Sequence, residues 1–228
     1  MDSIDFIKVL ALTFVTLFPV VNPIGDAPIF LSLTRCYPPS VQKILAPKIA
    51  AYGFALLAVS FLFGSEILSF FGITLAVIQI TGGLIVASTG WSLLNQQVAA
   101  SSGEQTADTL EDALQSAFYP LTLPITVGPG CISIAITLGA HLRHQSGSGF
   151  EHGYPRNFIA ALLGMFLLCV LVWVCYGNAD RLVRMLGTSG TNILTRLSAF
   201  LLMAIGVQIM WNGLSAGMPA LFAPVVTH

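Results

Sequence analysis

Charged side chains are scarce in this sequence: Asp, Glu, Lys and Arg together make up 8% of its 228 residues, and the formal net charge is -1. It has no Lys/Arg-rich run and no alternation of basic with aromatic residues, which excludes the patterns typical of nucleic-acid binding. Hydrophobic residues make up 55% of the chain, and the mean hydropathy is +0.84. These values lie far from those of soluble proteins, so the composition predicts an integral membrane protein in contact with the lipid bilayer.

The sequence also lacks the motifs of common enzymes and metal sites. Its four cysteines are scattered without Cys-x-x-Cys spacing, so neither a disulfide framework nor a zinc site is indicated. No His-Glu-x-x-His motif, Walker loop or dinucleotide fingerprint is present. We therefore expect no enzyme activity, no metal ion and no cofactor.

Six apolar segments are long enough to cross a membrane as helices, because a bilayer core about 30 Å thick requires about 20 residues of helix. They are predicted at residues 6–34, 48–65, 73–94, 118–142, 158–176 and 193–214. An acidic polar linker, 99–117, separates a first unit, 1–98, from a second unit, 118–228. The sequence leaves open whether the chain forms a homo-oligomer.

Lysine and arginine in short loops predict how the chain is oriented. The loops after the first, third and fifth predicted helices share one side of the membrane, and the other side holds both termini. The first side carries five basic residues and the second side three: Arg35, Lys43, Lys48, Arg181 and Arg184 against Lys8, Arg143 and Arg156. This excess predicts that both termini are periplasmic.

Two of the predicted helices contain residues that interrupt a helix. The first interruption is 22–28, and the second, 124–130, lies in the other half of the chain. The spacing Pro-x3-Pro-x4-Pro occurs in both halves, with a constant offset of 101 residues, at Pro19, Pro23 and Pro28 and again at Pro120, Pro124 and Pro129. We interpret this match as a duplication of three helices. An odd number of helices inserts the second copy from the opposite face, so the prediction is an all-α membrane protein of two inverted three-helix repeats with broken helices 1 and 4.

The two interruptions have the chemistry of a solute site. Proline removes a backbone donor and breaks the helix, and Pro28 and Pro129 suit the first turn of a resuming helix, whose free N–H groups attract an anion. Asp26 is the only carboxylate in either interruption; it either binds a substrate ammonium, carries a coupling proton, or caps the resumed helix. Glu66 is the second candidate for proton coupling. The predicted substrate-binding residues are Asn22, Pro23, Gly25, Asp26, Pro28, Ser32, Pro124, Thr126, Gly128, Pro129, Gly130 and Ser133.

The motifs NPIGDAPIFLSLT at 22–34 and PITVGPG at 124–130 resemble those of the MarC family of six-helix inner-membrane proteins, which includes the SnatA-type transporters of small neutral amino acids. The resemblance covers essentially the whole chain. It implies a bacterial inner-membrane protein that transports or exports glycine, alanine or similar substrates, coupled to protons. The competing hypothesis is a non-transporting membrane scaffold or regulatory protein in which the breaks are only packing features.

Overall fold

A computed structural model describes residues 2–95, 110–145 and 154–222. These residues form eight α-helices and one π-helical segment, and no β-strand occurs among them. The helices are α1 (Asp2–Val21), α2 (Pro23–Leu33), α3 (Pro39–Phe70), α4 (Leu75–Asn95), α5 (Leu110–Ser116), α6 (Pro129–Gln145), α7 (Tyr154–Gly177) and α8 (Ala179–Phe222), with the π-helical segment Ala117–Thr126 between α5 and α6. The predicted all-α fold is confirmed for this part of the chain.

Within the described ranges, five helical stretches are long and apolar enough to cross a membrane: Phe6–Leu33, Pro39–Phe70, Leu75–Ser92, Arg156–Gly177 and Ser189–Met218. A sixth span results if Glu111–Thr126 and Pro129–Arg143, which meet at an angle of 69°, are taken as one bent span. The count of five or six agrees with the six segments predicted. Of the predicted acidic linker, residues 99–109 lie outside the described residues, and Leu110–Ser116 forms α5.

One helix begins earlier than predicted. We predicted a start at residue 48, but α3 begins at Pro39, because proline suits the first turn of a helix and hydropathy alone does not register a polar first turn. The helix ends in a Schellman motif at Gly72, whose φ of 68° requires glycine; the Ile73 amide donates to Leu68 O over 2.9 Å. The last span begins at Ser189, close to the predicted residue 193, and the kink at Gly187 (φ 63°) separates it from the first turns of α8.

The helices alternate in direction, so the bundle has two ends. At one end, Arg143 of α6 forms an ion pair with Glu66 of α3, and Arg156 of α7 lies 5.7 Å from the ring centre of Phe6 in α1. We call this end the N-terminal face. The other end, the opposite face, contains Tyr37, whose hydroxyl lies 3.5 Å from Ser116 Oγ. The core lies between α1, α3, α6 and α7, where the side chains of Leu17, Phe61, Met165 and Leu168 are fully buried.

The tightest helix pair is α4 with α8, which pack through glycine. A Cβ atom added at Gly83 would lie 2.6 Å from Gly206 O, and one added at Gly206 would lie 2.3 Å from Ala87 N. Gly90 meets Ala199 and Met203 of α8 in the same way. Small residues let helix backbones approach closely in membranes, which explains why glycine occupies these positions.

Candidate functional site

The first interruption is centred on Asn22, which separates α1 from α2 in the left-handed conformation (φ 46°, ψ 54°). Asparagine tolerates this conformation better than most residues. Its side-chain oxygen accepts hydrogen bonds from the amide of Gly25 over 3.3 Å and from the hydroxyl of Ser198 in α8 over 3.1 Å. Asn22 is therefore the N-cap of α2, and it also ties the interruption to α8.

Asp26 lies one turn into α2 and is 7% exposed. Its carboxylate lies 3.5 Å from the side-chain nitrogen of Asn22, and it forms no ion pair with any residue that the structure describes. Since Asn22 performs the capping, the hypothesis that Asp26 caps the resumed helix is wrong. A buried carboxylate paired only with an amide is costly inside a membrane, which makes a functional role the natural explanation.

The resuming helices begin at different points of the two motifs. Pro129 is the first residue of α6, as predicted. Pro28, however, is the sixth residue of α2, which begins at Pro23, so its predicted place in the first turn is wrong. The reason is local: the Asn22 side chain caps the helix immediately after the left-handed residue, five residues before Pro28.

The second interruption is the π-helical segment and the turn that follows it. Pro120 and Pro124 donate no backbone hydrogen bond, and two threonine hydroxyls bind carbonyls in this segment instead: Thr122 Oγ1 donates to Ala117 O over 2.6 Å, and Thr126 Oγ1 to Leu121 O over 2.8 Å. Side-chain hydroxyls satisfy interrupted backbone in membrane helices. This is why the segment can keep an irregular backbone within the bundle.

An aromatic pair connects the two interruptions on the side of the opposite face. Phe30 of α2 stacks on Tyr176 of α7 with ring centres 4.7 Å apart and planes at 13°, and both side chains are buried. The Tyr176 hydroxyl lies 3.0 Å from Thr126 Oγ1 in the second interruption. The helix that carries Asp26, α2, also packs against α7 and against the π-helical segment. The two interruptions therefore lie close together.

The predicted substrate-binding residues divide into groups by burial. Pro23, Gly25, Asp26, Thr126, Gly130 and Ser133 are buried, whereas Asn22, Pro28 and Gly128 are half-buried. Ser32, Pro124 and Pro129 are exposed, and the Ser32 hydroxyl donates to Ile29 O in its own helix. Ser133 donates to Ile78 O of α4 over 3.1 Å, and Gly130 packs so closely on Val86 that an added Cβ atom would lie 1.9 Å from its side chain. The buried members are thus tightly packed in this conformation.

Glu66, the second proton-coupling candidate, lies away from both interruptions. It is 56% exposed at the N-terminal face, where it pairs with Arg143. Arg143 also donates to Ser65 Oγ over 3.1 Å and to the carbonyl of Leu62, so the cluster fastens α6 to the end of α3. Among the residues described, no group of three His, Cys, Asp or Glu side chains is arranged to hold a metal ion.

Sequence reasoning missed Ser198 and Tyr176. Ser198 is a polar residue in an apolar helix, and Tyr176 ends a span that contains no charge, so each carried a weak signal. Neither signal indicated the partner, because Ser198 lies 176 residues from Asn22 and Tyr176 lies 50 residues from Thr126. Only the three-dimensional packing identifies these pairs.

A cavity of about 380 Å³ lies between α1, α4, α6 and α8, on the side of the interruptions that leads to the N-terminal face. Its polar lining consists of Thr16, Gln79, Thr137, His141 and Asn212, and apolar side chains form the rest. The predicted substrate-binding residues do not line this cavity. Ser133 comes nearest in sequence, since it directly precedes the lining residue Ile134.

The link between Tyr176 and Thr126 predicts a modest loss of stability when it is removed. Tyr176→Phe keeps the stack on Phe30 and removes one hydrogen bond, which is expected to cost about 1 kcal/mol. Tyr176→Leu also removes the aromatic pair and is expected to cost about 1 kcal/mol more. The measurement is the unfolding midpoint in detergent. Tyr52→Phe is the matched control, because the Tyr52 hydroxyl bonds to no described residue, and equal effects at both positions would contradict the link.

Comparison with known proteins places the chain in a family. Residues 7–218 match the family described as MarC family integral membrane protein. The inner membrane protein MarC of Salmonella paratyphi B is 31% identical over 216 residues, which cover 92% of this chain and 95% of the relative. The same values hold for the protein of Salmonella typhimurium, and that of Escherichia coli O1:K1 / APEC is 32% identical over 216 residues, covering 92% and 96%. No solved structure matches.

The resemblance carried by the two proline motifs is therefore confirmed over nearly the whole chain. The relatives are named inner membrane proteins, and the fold has several helices able to span a bilayer, so this is a multi-pass inner-membrane protein. By its match over residues 7–218 and its identity to these relatives, the chain belongs to the MarC family of integral membrane proteins.

Proposed function

We propose that this protein is a secondary transporter or exporter of small neutral amino acids of the glycine and alanine type, coupled to protons. The observation that carries the proposal is the buried Asp26 carboxylate, which lies beside a capped helix break and has no cationic partner among the described residues. Its helix packs against a second interruption from the other half of the chain. An ionisable group in this position is expected to act on a solute or a proton.

The proposed substrate fits the chemistry of the paired interruptions. The ammonium of a zwitterion pairs with Asp26, and its carboxylate lies against the N-terminal turn of α6, where the helix dipole favours negative charge. Asn22 packs against Gly25 and Val86 packs against Gly130, so a solute that replaces these contacts near the backbone must be small. A neutral amino acid with a short side chain meets all three conditions.

The proposed mechanism is alternating access between two inverted repeats. The matching proline spacing, with its offset of 101 residues, and the opposite directions of α1 and α6 support this architecture. In the conformation described here the interruptions are closely packed, so the substrate enters when one repeat rocks away from the other. The excess of five basic residues over three supports a cytoplasmic opposite face and periplasmic termini.

The test is uptake of labelled glycine or alanine into proteoliposomes, with and without a proton gradient. We expect saturable uptake that the gradient stimulates and that Asp26→Asn makes insensitive to the gradient, because the amide carries no titratable proton. Asp180→Asn is the matched control: Asp180 is an exposed carboxylate that pairs with Arg184 on the same helix, and its loss should change nothing. Glu66→Gln tests the second coupling candidate in the same assay.

The alternative, a non-transporting scaffold or regulatory protein, makes the opposite prediction. In that case the interruptions serve packing alone, and neither glycine nor alanine would enter the vesicles above the rate of protein-free liposomes. Absence of saturable uptake for every small neutral amino acid tested would therefore reject the transport function. Saturable uptake that Asp26→Asn leaves fully gradient-sensitive would reject the role of Asp26 alone.

A further inference from the structure

The cavity between α1, α4, α6 and α8 contains a polar side chain without a partner. Gln79 of α4 is 8% exposed and lines this cavity of about 380 Å³. No hydrogen bond joins its amide to any residue that the structure describes, and the amide atoms are not among the fully enclosed polar atoms of the described chain. Gly213 of α8 makes room for it, since an added Cβ atom there would lie 2.9 Å from Gln79 Cβ. The amide is therefore available to a solute in the cavity.

The lining of the cavity limits the charge of that solute. Beside Gln79 the polar lining consists of two threonines, one histidine and Asn212, and it contains no Lys, Arg, Asp or Glu. Asn212 accepts a hydrogen bond from Gln208 over 2.9 Å, which leaves its own amide nitrogen free to donate into the cavity. An amide group both donates and accepts, so it can contact the ammonium and the carboxylate of one small zwitterion. The volume lies at the lower end of the range for small-molecule sites.

The position of the cavity relates it to the paired interruptions. Its lining on α6 extends from Ile134 to Leu142, a length of about 12 Å along the helix axis at about 1.5 Å per residue. Its inner end adjoins Ser133, which bonds to Ile78 O next to Gln79, and its outer end approaches Arg143 at the N-terminal face. On the other side of the interruptions, the stacked pair Phe30 and Tyr176 fills the space.

We propose that this cavity is the vestibule through which a small zwitterionic solute without net charge moves between the N-terminal face and the paired interruptions, and that the Gln79 amide binds the solute there. The proposal rests on the proposed transport function and adds the route and a binding residue. Among the described residues, the cavity extends toward the N-terminal face, whereas Phe30 and Tyr176 pack against each other on the side of the opposite face.

The test is chemical labelling of a cysteine placed at position 79. The membrane-impermeant probe is a charged methanethiosulfonate, which reacts with a thiolate; thiolates form in water and not in hydrocarbon. Gln79→Cys is compared with Thr81→Cys, a matched control on α4 that is exposed, lies two residues away and does not line the cavity. All cysteine variants are made in a Cys36→Ser background, because Cys36 is exposed.

We expect Gln79→Cys to be labelled at least about tenfold faster than Thr81→Cys, in vesicles of one orientation only, because it faces water. Glycine and alanine should slow the labelling of Thr137→Cys, another lining position at which the Gln79 amide is kept, whereas lysine and aspartate should not. Equal labelling rates at positions 79 and 81, or labelling of Thr137→Cys that glycine and alanine leave unchanged, overturns the proposal. Size-exclusion chromatography in detergent shows whether each variant is folded.

Transport assays separate this proposal from the function on which it rests. If labelling is fast and slowed by glycine but no uptake occurs, the proposed function fails while the binding cavity stands. If uptake occurs but position 79 is not labelled, the function stands and the vestibule is rejected.

In the transport assay, Gln79→Leu should raise the KM for glycine about tenfold, which corresponds to the loss of one charge-assisted hydrogen bond. Gln79→Asn should restore part of the affinity. Equal effects of the two substitutions on KM would reject the binding role of the amide.

Discussion

Gly206→Ala is expected to lower the stability of the protein by at least about 2 kcal/mol, within the usual cost of overpacking a tight interface. A single added methyl group would lie 2.3 Å from Ala87 N and 2.7 Å from Gly83 O. Both atoms belong to the backbone of α4, so neither can move aside as a flexible side chain would. The two helices must separate, and the contacts of Gly83 and Gly90 are lost with them. The measurement is the unfolding midpoint in detergent, which should fall by about 4 °C or more.

Gly217→Ala on the same helix is the matched control. A Cβ atom at Gly217 would lie 3.8 Å from Ala76 Cβ, which is an ordinary contact. Alanine favours a helix by up to about 1 kcal/mol over glycine, so this variant should be as stable as the parent or slightly more stable. Equal midpoints for the two variants would show that α4 and α8 do not pack as described.

Gly25→Ala is expected to abolish the arrangement of the first interruption and, with it, transport. An added Cβ atom would lie 2.1 Å from the Asn22 side-chain nitrogen, so the asparagine must turn away. It then loses its hydrogen bonds to Gly25 N, to Ser198 and to Asp26. Losing the cap and leaving buried polar groups unsatisfied costs about 2 to 4 kcal/mol in total. The unfolding midpoint in detergent and glycine uptake measure the two effects.

A double-mutant cycle tests whether Gly25→Ala acts through Asn22. Asn22→Gly removes the same side chain while keeping the left-handed backbone, which glycine adopts without strain. The double variant should therefore be no less stable than either single variant, because the same hydrogen bonds are lost in all three. Additive losses in the double variant would show that Gly25 acts through some other contact.

Composition and spacing predicted much of this protein, because they reflect constraints that act locally. Long apolar runs indicate spans, since a bilayer accepts few alternatives to a helix. The helix-breaking residues indicated where regular structure stops, and Asn22 and Pro129 lie at those points. The exact start of α2 depends on which side chain caps the helix. Asn22 caps it from the left-handed conformation, and hydropathy does not reveal that conformation.

The partners of the site residues were beyond sequence reasoning, because they depend on which helices become neighbours. Asp26 was predicted as a functional carboxylate, but nothing in its own segment shows that α2 packs against α7 and the π-helical segment. Gln79 is likewise an ordinary amide in a helix until Gly213 and Ile134 are placed around it. Ser32 shows the converse, since it was predicted as a substrate-binding residue, yet it is exposed and bonds within its own helix.

The threonine-bonded π-helical segment depends on two side chains. Amide hydrogen bonds fix a helix in one register, whereas a threonine hydroxyl rotates about its side chain and reaches carbonyls on either side. Thr122 and Thr126 now bind the carbonyls of Ala117 and Leu121, five residues earlier in each case. Tyr119 and Leu123 leave the helical conformation within this segment, so side chains rather than the regular backbone pattern bind these two carbonyls. Loss of either threonine would therefore free a carbonyl inside the bundle.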